Sequence, residues 1–191
     1  MKKSLGAKTI LYPTPTLLVG SYDEAGKPNL MTAAWGGICN SRPPCIYVSL
    51  RKATYSHHCL LVNRGYTVSI VSEDLVQQAD YCGIASGRDV DKFAVTGWTP
   101  VSSDLVHAPY VAEAPLVIEC RLVQALELGL HTQFIGEVLD VKAEERVLDQ
   151  WGRVDVSRLR PIVFAPDSRE YYGLGSLLGK AFEIGKPLQE R

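Results

Sequence analysis

Two long apolar stretches separated by one turn constrain the fold more than anything else in this sequence. Leu116 to Leu128 (LVIECRLVQALEL) places Ile118, Cys120 and Leu122 on one face, against Glu119 and Arg121 on the other. A period of two with one polar face marks a long, half-exposed strand. Gly129 turns the chain, and His131 to Val141 (HTQFIGEVLDV) returns as a second long strand, so the two form a hairpin.

Shorter strands precede and follow it. Thr16 to Tyr22 reads as a strand, Asp23 to Pro28 as a turn with Gly26 free to take positive φ, and Asn29 to Trp35 as the return. Gly36-Gly37 lets the backbone bend or approach another group closely, and Ile38 to Ser41 continues the strand. Pro43 and Pro44 cannot donate to a ladder and mark a break before the short strand Cys45 to Leu50. Thr54 is placed to cap a helix running to about Asn63, and Tyr66 to Val71 alternates as another strand. Ser72-Glu73-Asp74 opens a second helix, with Leu75, Ala79 and Cys82 on one face. Arg88 to Val95 reads as a short helix or turn, and Thr96 to Pro115, with three prolines, as irregular. Glu144 to Leu159 is charged, with a helical turn or two. Ile162 to Ala165 and Ser168 to Tyr172 are short late strands, and Gly173 to Ile184 is a Gly-rich helix or coil.

Many short strands with hairpin turns and few helices predict a mainly β chain, an antiparallel barrel with helical insertions. Regular strand–helix alternation is missing, which argues against a doubly wound parallel sheet. At 191 residues, without an internal repeat or linker, residues 1–191 are expected to form one domain. The net charge of -1 argues against a nucleic-acid binder held by phosphate contacts. No apolar run approaches the roughly 20 residues of a bilayer span, and the N-terminus has no sustained apolar stretch, so a cytoplasmic location is the expectation. The five cysteines are odd in number and irregular in spacing, which points to reduced, buried thiols.

The junction Ser49-Leu50-Arg51-Lys52-Ala53-Thr54-Tyr55-Ser56 carries the chemistry. A helix N-terminus leaves backbone N–H groups unpaired and partly positive, which favours a phosphate. Arg51 can add a bidentate charge-assisted contact, and Ser49, Thr54 and Ser56 can add hydroxyls. The bland alternative for Arg51, Thr54 and Ser56 is an exposed helix start.

Taken together, TAAWGGICNSRPPCIYVSLRKATYS, the later GRDVDKFA-x-TGW and the closing SREYYGLGSLLGKAFEIG resemble the flavin reductase-like family and, within it, the flavoredoxin subgroup. The resemblance covers nearly the whole chain. It implies an FMN-binding split barrel, a six-stranded antiparallel Greek-key barrel that forms a homodimer and holds FMN without a covalent link. It also implies electron transfer with a nicotinamide nucleotide or a redox protein as partner. Family-like flavin contacts fall on Thr32, Ala33, Ala34 and Trp35, on Asn40 and Ser41, and on Ser49, Leu50 and Arg51, with Thr54 and Ser56 at the phosphate end.

Each of these residues has a plainer reading. Ala33, Ala34 and the Gly36-Gly37 pair can be small for packing alone, although a flat ring lying along the strand also requires small side chains. Trp35 suits a core position. Asn40 and Ser41 favour turns for local reasons. Lys92 is either a solvated lysine or a group that approaches the cofactor. His57, His58 and Cys59 diverge by about 100° per residue on a helix, so they do not face one metal ion. His131 is structural or near a nucleotide. Gly173, Gly175 and Gly179 lack the setting of a dinucleotide fingerprint, and Tyr171 and Tyr172 are candidates to cover the flavin. No protein nucleophile or general acid–base group stands out, and none is required, since hydride and electron transfer are cofactor chemistry. Three functions fit: an FMN-binding electron carrier, an NAD(P)H-dependent reductase that releases reduced flavin, and a non-catalytic module for another phosphorylated ligand.

Overall fold

The computed structural model describes residues 1–189. Its strands in chain order are β1 (Thr14–Pro15), β2 (Leu17–Tyr22), β3 (Pro28–Ala33), β4 (Gly36–Ser41), β5 (Pro44–Arg51), β6 (Gly65–Ile70), β7 (Pro100–Ser102), β8 (Pro109–Val111), β9 (Leu116–Leu128), β10 (His131–Ala143), β11 (Ile162–Ala165) and β12 (Glu170–Gly173). The helices are α1 (Tyr55–Asn63), α2 (Val76–Ile84), α3 (Lys92–Thr96) and α4 (Val156–Leu159).

Seven strands make one antiparallel sheet in the order β3-β2-β6-β9-β10-β5-β4. The β9–β10 hairpin is its spine, because every residue from Leu116 to Leu128 lies within a strand of alternating faces. Six strands supply the inner core. Leu17 and Val19 come from β2, Ala33 from β3, Ile46, Val48 and Leu50 from β5, Tyr66 and Val68 from β6, Cys120 and Leu122 from β9, and Phe134 from β10. β4 contributes nothing to that core and lies mostly exposed, a return strand laid along β5 beside the six. The sheet curls until the carbonyl of Trp35, just past β3, accepts a hydrogen bond from the Ser49 N–H of β5 at 2.7 Å. That bond extends the β4–β5 ladder, and among the described residues no ladder joins β3 to β4 or β5, so the barrel stays split. α1 connects β5 to β6 and plugs the barrel with Leu60.

A second core lies on the outer face of β2 and β3. Leu18 and Leu30 point out to meet Ala79 and Cys82 of α2 and Phe93 of α3, with Val111 of β8 and Val117 of β9. This is why β2 reads as a continuous apolar run rather than an alternating one: both of its faces are covered. The small β barrel thus has an outer helical layer, and the cleft described below opens at its margin.

Three local readings differ from the structure. The segment 96–115 is not wholly irregular: β7 and β8 pair antiparallel within it. Strands of three residues bounded by prolines are too short to show a period. Ser72 does not start the second helix directly. A short 3₁₀ turn, Glu73–Leu75, intervenes before α2. Glu119 does face away from Cys120, yet it is 0% exposed rather than solvated. The half-exposed pattern holds only in the middle, at Arg121 to Val123; the base of β9 is covered, and from Val123 to Leu128 every residue is exposed.

Lys142 of β10 forms an ion pair with Glu119 Oε2, leaving the buried Oε1 without a partner among the described residues, and also reaches Asp140 at 3.2 Å. Removing one partner of a buried pair leaves a desolvated charge. Because the Lys142 side chain is itself 36% exposed, a discounted cost of roughly 2–3 kcal/mol is expected for Lys142→Ala. Urea denaturation checks this, and the double variant Lys142→Ala/Glu119→Gln should recover most of the loss.

Candidate functional site

A cleft of about 630 Å³ opens where several elements end together. Its floor is the end of β3 and the following turn, Met31 to Trp35. Ser49 and Arg51 of β5 and Thr54 before α1 form one side. Asp80, Gly83 and Ile84 of α2 form another, and Leu130 and His131 at the β9–β10 turn complete the rim. Phe164, Pro166, Arg169 and Tyr171 overhang it from the β11–β12 hairpin. The rings of Trp35 and His131 lie parallel within 3°, with centroids 6.5 Å apart. They give the rim flat aromatic surface, while Ala33 and Ala34 keep the floor low.

A smaller hollow of about 240 Å³ adjoins the cleft, and Met31, Thr54, Gly83 and Ile84 line both. It is bounded by Ala53 to Ser56 at the start of α1, by Cys82 to Arg88, and by Lys92. Thr54 holds the N-cap position with extended backbone, but its hydroxyl donates to the Arg51 carbonyl at 2.8 Å and does not cap the helix. No side chain caps α1 at all, so its first N–H groups are left to the hollow. Arg88 donates to the Ala53 carbonyl at 3.2 Å, and its guanidinium carbon sits 5.5 Å from the Tyr55 ring centre. The Tyr55 hydroxyl donates to Asp23 at 2.8 Å, which pushes its pKa up to about 12. The Tyr55 ring that carries Arg88 is thereby fixed.

Lys92 is only 4% exposed. Its ammonium donates to the carbonyls of Leu30 at 2.7 Å and Cys82 at 2.8 Å. Burial lowers its pKa. Two of its three donors tie α2 to β3, and the group still borders the hollow. It is neither a solvated lysine nor a free ligand hook, but a buried cation behind the anion end. Ser56 is similarly committed, its hydroxyl accepting from Asn29 at 2.9 Å.

Of the residues singled out in the sequence, Thr32, Ala33, Ala34, Trp35, Ser49, Arg51 and Thr54 line the cleft. Ser56 borders the hollow. The Thr32 hydroxyl is taken by the Ala79 carbonyl of α2, so Thr32 supplies backbone and shape. Leu50 is 1% exposed and its side chain packs in the barrel core, leaving only its backbone near the site. Asn40 and Ser41 are exposed at the β4–β5 corner, where Asn40 donates to the Pro43 carbonyl at 2.8 Å. Ser41 pairs with Pro44, five residues before Ser49, which is about 16 Å along the strand. Within one chain neither residue borders the cleft.

Arg88, Asp80 and Arg169 were not signalled by the sequence. Arg88 and Arg169 lay in segments that carried the family resemblance without being assigned to the site, and Asp80 and Arg169 reach the cleft by tertiary packing. Tyr171 lines the cleft and donates to Asp80 at 3.0 Å, whereas Tyr172 faces a different hollow. His57, His58 and Cys59 diverge, to Thr132, Glu24 and the Tyr55 carbonyl respectively.

His57 is buried against the Phe134 ring and bonded to Thr132 at 2.8 Å. Burial, followed by repulsion from Lys52, lowers its pKa below the usual 6.5. The folded state therefore holds the neutral ring, and the unfolded chain binds the proton more readily. Stability is full above about pH 6.5 and falls as pH drops below it toward the lowered folded-state value. Denaturant midpoints across that window are expected to decline in the parent chain and to flatten in His57→Gln.

Comparison with known proteins decides the family. The profile of the flavin reductase like domain matches residues 9–172. The chain belongs to the flavin reductase-like family. A flavoredoxin of Desulfovibrio vulgaris (Miyazaki F) shares 53% identity over 97% of this chain and 100% of its own, with a TM-score of 0.93. A flavoredoxin from Methanosarcina acetivorans shares 31% over 98% and 100%, with a TM-score of 0.92. The reductase component of a Rhodococcus opacus 4-nitrophenol monooxygenase is 30% identical over 129 residues, 67% of this chain and 64% of that protein. Membership in the flavin reductase-like family places the chain in flavin-linked redox chemistry and accounts for the split barrel. Among the described residues, no helix is long and apolar enough to cross a membrane.

Proposed function

We propose that this chain is an FMN-binding redox protein of the flavoredoxin type, which carries electrons from a reduced nicotinamide nucleotide or a redox protein to an acceptor. The observation that carries this reading is the union of a flat-rimmed cleft with a cationic hollow at the start of α1. A tricyclic ring with a phosphate tail has the same two parts.

The residues fit that group. Arg51, Arg88 and the uncapped N-terminus of α1 would hold the phosphate, with Lys92 adding charge from behind. The backbone from Thr32 to Trp35 would support the ring, with Ala33 and Ala34 leaving room for it. Ser49 and the Leu50 backbone would lie along the tail. When bound, the flavin supplies the redox chemistry, and the protein supplies binding, orientation and electrostatics.

A homodimer belongs to the same reading. Ile38 of β4 and Leu177, Leu178 and Phe182 of the C-terminal segment stand more than four-fifths exposed. Large apolar side chains at that level of exposure favour cover by another copy. In that setting Asn40 and Ser41 would meet the partner's cleft rather than their own. A cytoplasmic location remains part of the proposal.

The visible spectrum of the purified protein tests the reading, with FMN added if the preparation is colourless. Flavin absorbance that stays with the protein through gel filtration is the expected result, and failure to take up any FMN sinks it. A second reading, a reductase that releases reduced flavin, draws on the Rhodococcus opacus relative. Rapid loss of flavin on filtration together with turnover of NADH or NADPH would favour that one.

A further inference from the structure

The cleft holds one more cation than a single flavin phosphate needs. Arg51 lies on the β5 side beside the start of α1, whereas Arg169 overhangs from the β11–β12 hairpin. Among the described residues neither makes an ion pair. The acids nearest Arg169 in sequence are engaged elsewhere. Asp167 faces Lys8 at 3.8 Å, and Glu170 accepts from Tyr172 at 2.6 Å. Asp80, the acid that lines the cleft, accepts from the Tyr171 hydroxyl through Oδ1 and forms no ion pair with Arg169 among the described residues.

The mount of Arg169 is also unusual. Its φ is 59°, the left-handed region that glycine favours, and its N–H bonds the Ala165 carbonyl at 2.8 Å. Such a conformation is unfavourable for a side-chain-bearing residue and persists where the surroundings impose it. The hairpin is tied down on both sides: Thr14 donates to the Phe164 carbonyl at 2.9 Å, and Tyr171 is anchored to α2 through Asp80. The guanidinium is therefore presented from a fixed frame to an open cleft.

We infer that Arg169 is a second anion anchor in this cleft, and that it grips the phosphates of a nicotinamide dinucleotide donor. A guanidinium offers paired N–H donors that match phosphate oxygens. This rests on the FMN reading, which assigns the other anion subsite to Arg51 and α1. It makes Arg169 a specificity residue for the electron donor and not a holder of the flavin.

The test uses the FMN-loaded full chain and the oxidised dinucleotides NAD⁺ and NADP⁺, which bind without reducing the flavin, followed by calorimetry. Arg169→Gln is expected to weaken dinucleotide binding about tenfold and to reduce its salt dependence. FMN retention should not change. Arg169→Gly frees the backbone, so a loss of affinity shared by both variants cannot come from a strained fold. Dinucleotide affinity unchanged within about twofold in both variants overturns the inference, as does a parent protein that keeps FMN but binds neither dinucleotide. A parent that takes up no FMN overturns both this inference and the flavin reading, so the two failures are told apart.

Discussion

Arg51→Ala is expected to raise the dissociation constant for FMN by roughly 10- to 100-fold. A hydrogen bond to a charged group contributes about 1.5–3 kcal/mol, and every 1.4 kcal/mol is a factor of ten. Arg51 ends β5 with its side chain exposed to the cleft and without an acidic partner among the described residues. Nothing in the fold depends on it, so the loss should appear in binding and not in the melting temperature. Arg88 differs: it borders the hollow but also leans on Tyr55 and the Ala53 carbonyl. Arg88→Ala should weaken FMN and loosen the loop before α3, and the two changes together should fall short of additivity because they share one anion. Fluorescence titration of the apoprotein with FMN reads all three. An Arg51→Ala protein that binds FMN as tightly as the parent, beside an Arg88→Ala protein that does not, would move the phosphate wholly into the smaller hollow.

The parts of this site that the sequence announced are those built from contiguous residues. The end of β3, its turn and the β5–α1 junction all lie between Met31 and Ser56, where local pattern and helix-end chemistry can be read directly. The long hairpin was legible for the same reason, since alternation over Leu116 to Leu128 leaves little choice of structure. What escaped was set by distance in the chain. Arg169 reaches the cleft only because β11 pairs with β1 and folds β12 over it, the same pairing that delivers Tyr171, which the sequence had offered as flavin cover. Asp80 sits on a helix whose apolar face was legible but whose neighbour was not. Glu119 shows the limit of alternation: the period assigns a residue to a face, but which elements cover that face is a tertiary matter. Leu50 shows the converse, because membership in a site-bearing segment does not place a side chain in the site when the strand turns it into the core.

The largest loss of stability is expected from Gly20→Ala, far from the chemistry. Gly20 sits mid-strand in β2, paired with Thr67 of β6 and Leu30 of β3. A Cβ there would overlap the Pro109 carbonyl oxygen and the Thr67 hydroxyl. Pro109 belongs to the backbone of β8, so it cannot swing aside as a side-chain tip does. Its carbonyl also accepts the buried Thr67 hydroxyl at 2.5 Å. The added methyl must therefore push β8 off the sheet and break that hydrogen bond at once. Overpacking costs about 1–3 kcal/mol, and a buried polar group left unpaired about 1–3 more. The sum, roughly 2–6 kcal/mol, is a large share of a typical domain's 5–15. Val111 of β8 belongs to the outer core with Leu18 and Val117, so the displacement would loosen the layer that carries α2. Flavin binding should then weaken as a consequence, through Gly83 and Ile84 at the end of α2 rather than through any contact of Gly20. Thr67→Val separates the two contributions: it deletes the hydroxyl while keeping the shape, and should cost only the hydrogen-bond share. Equal midpoints for Gly20→Ala and the parent in urea would mean that β8 does not rest on β2 as described.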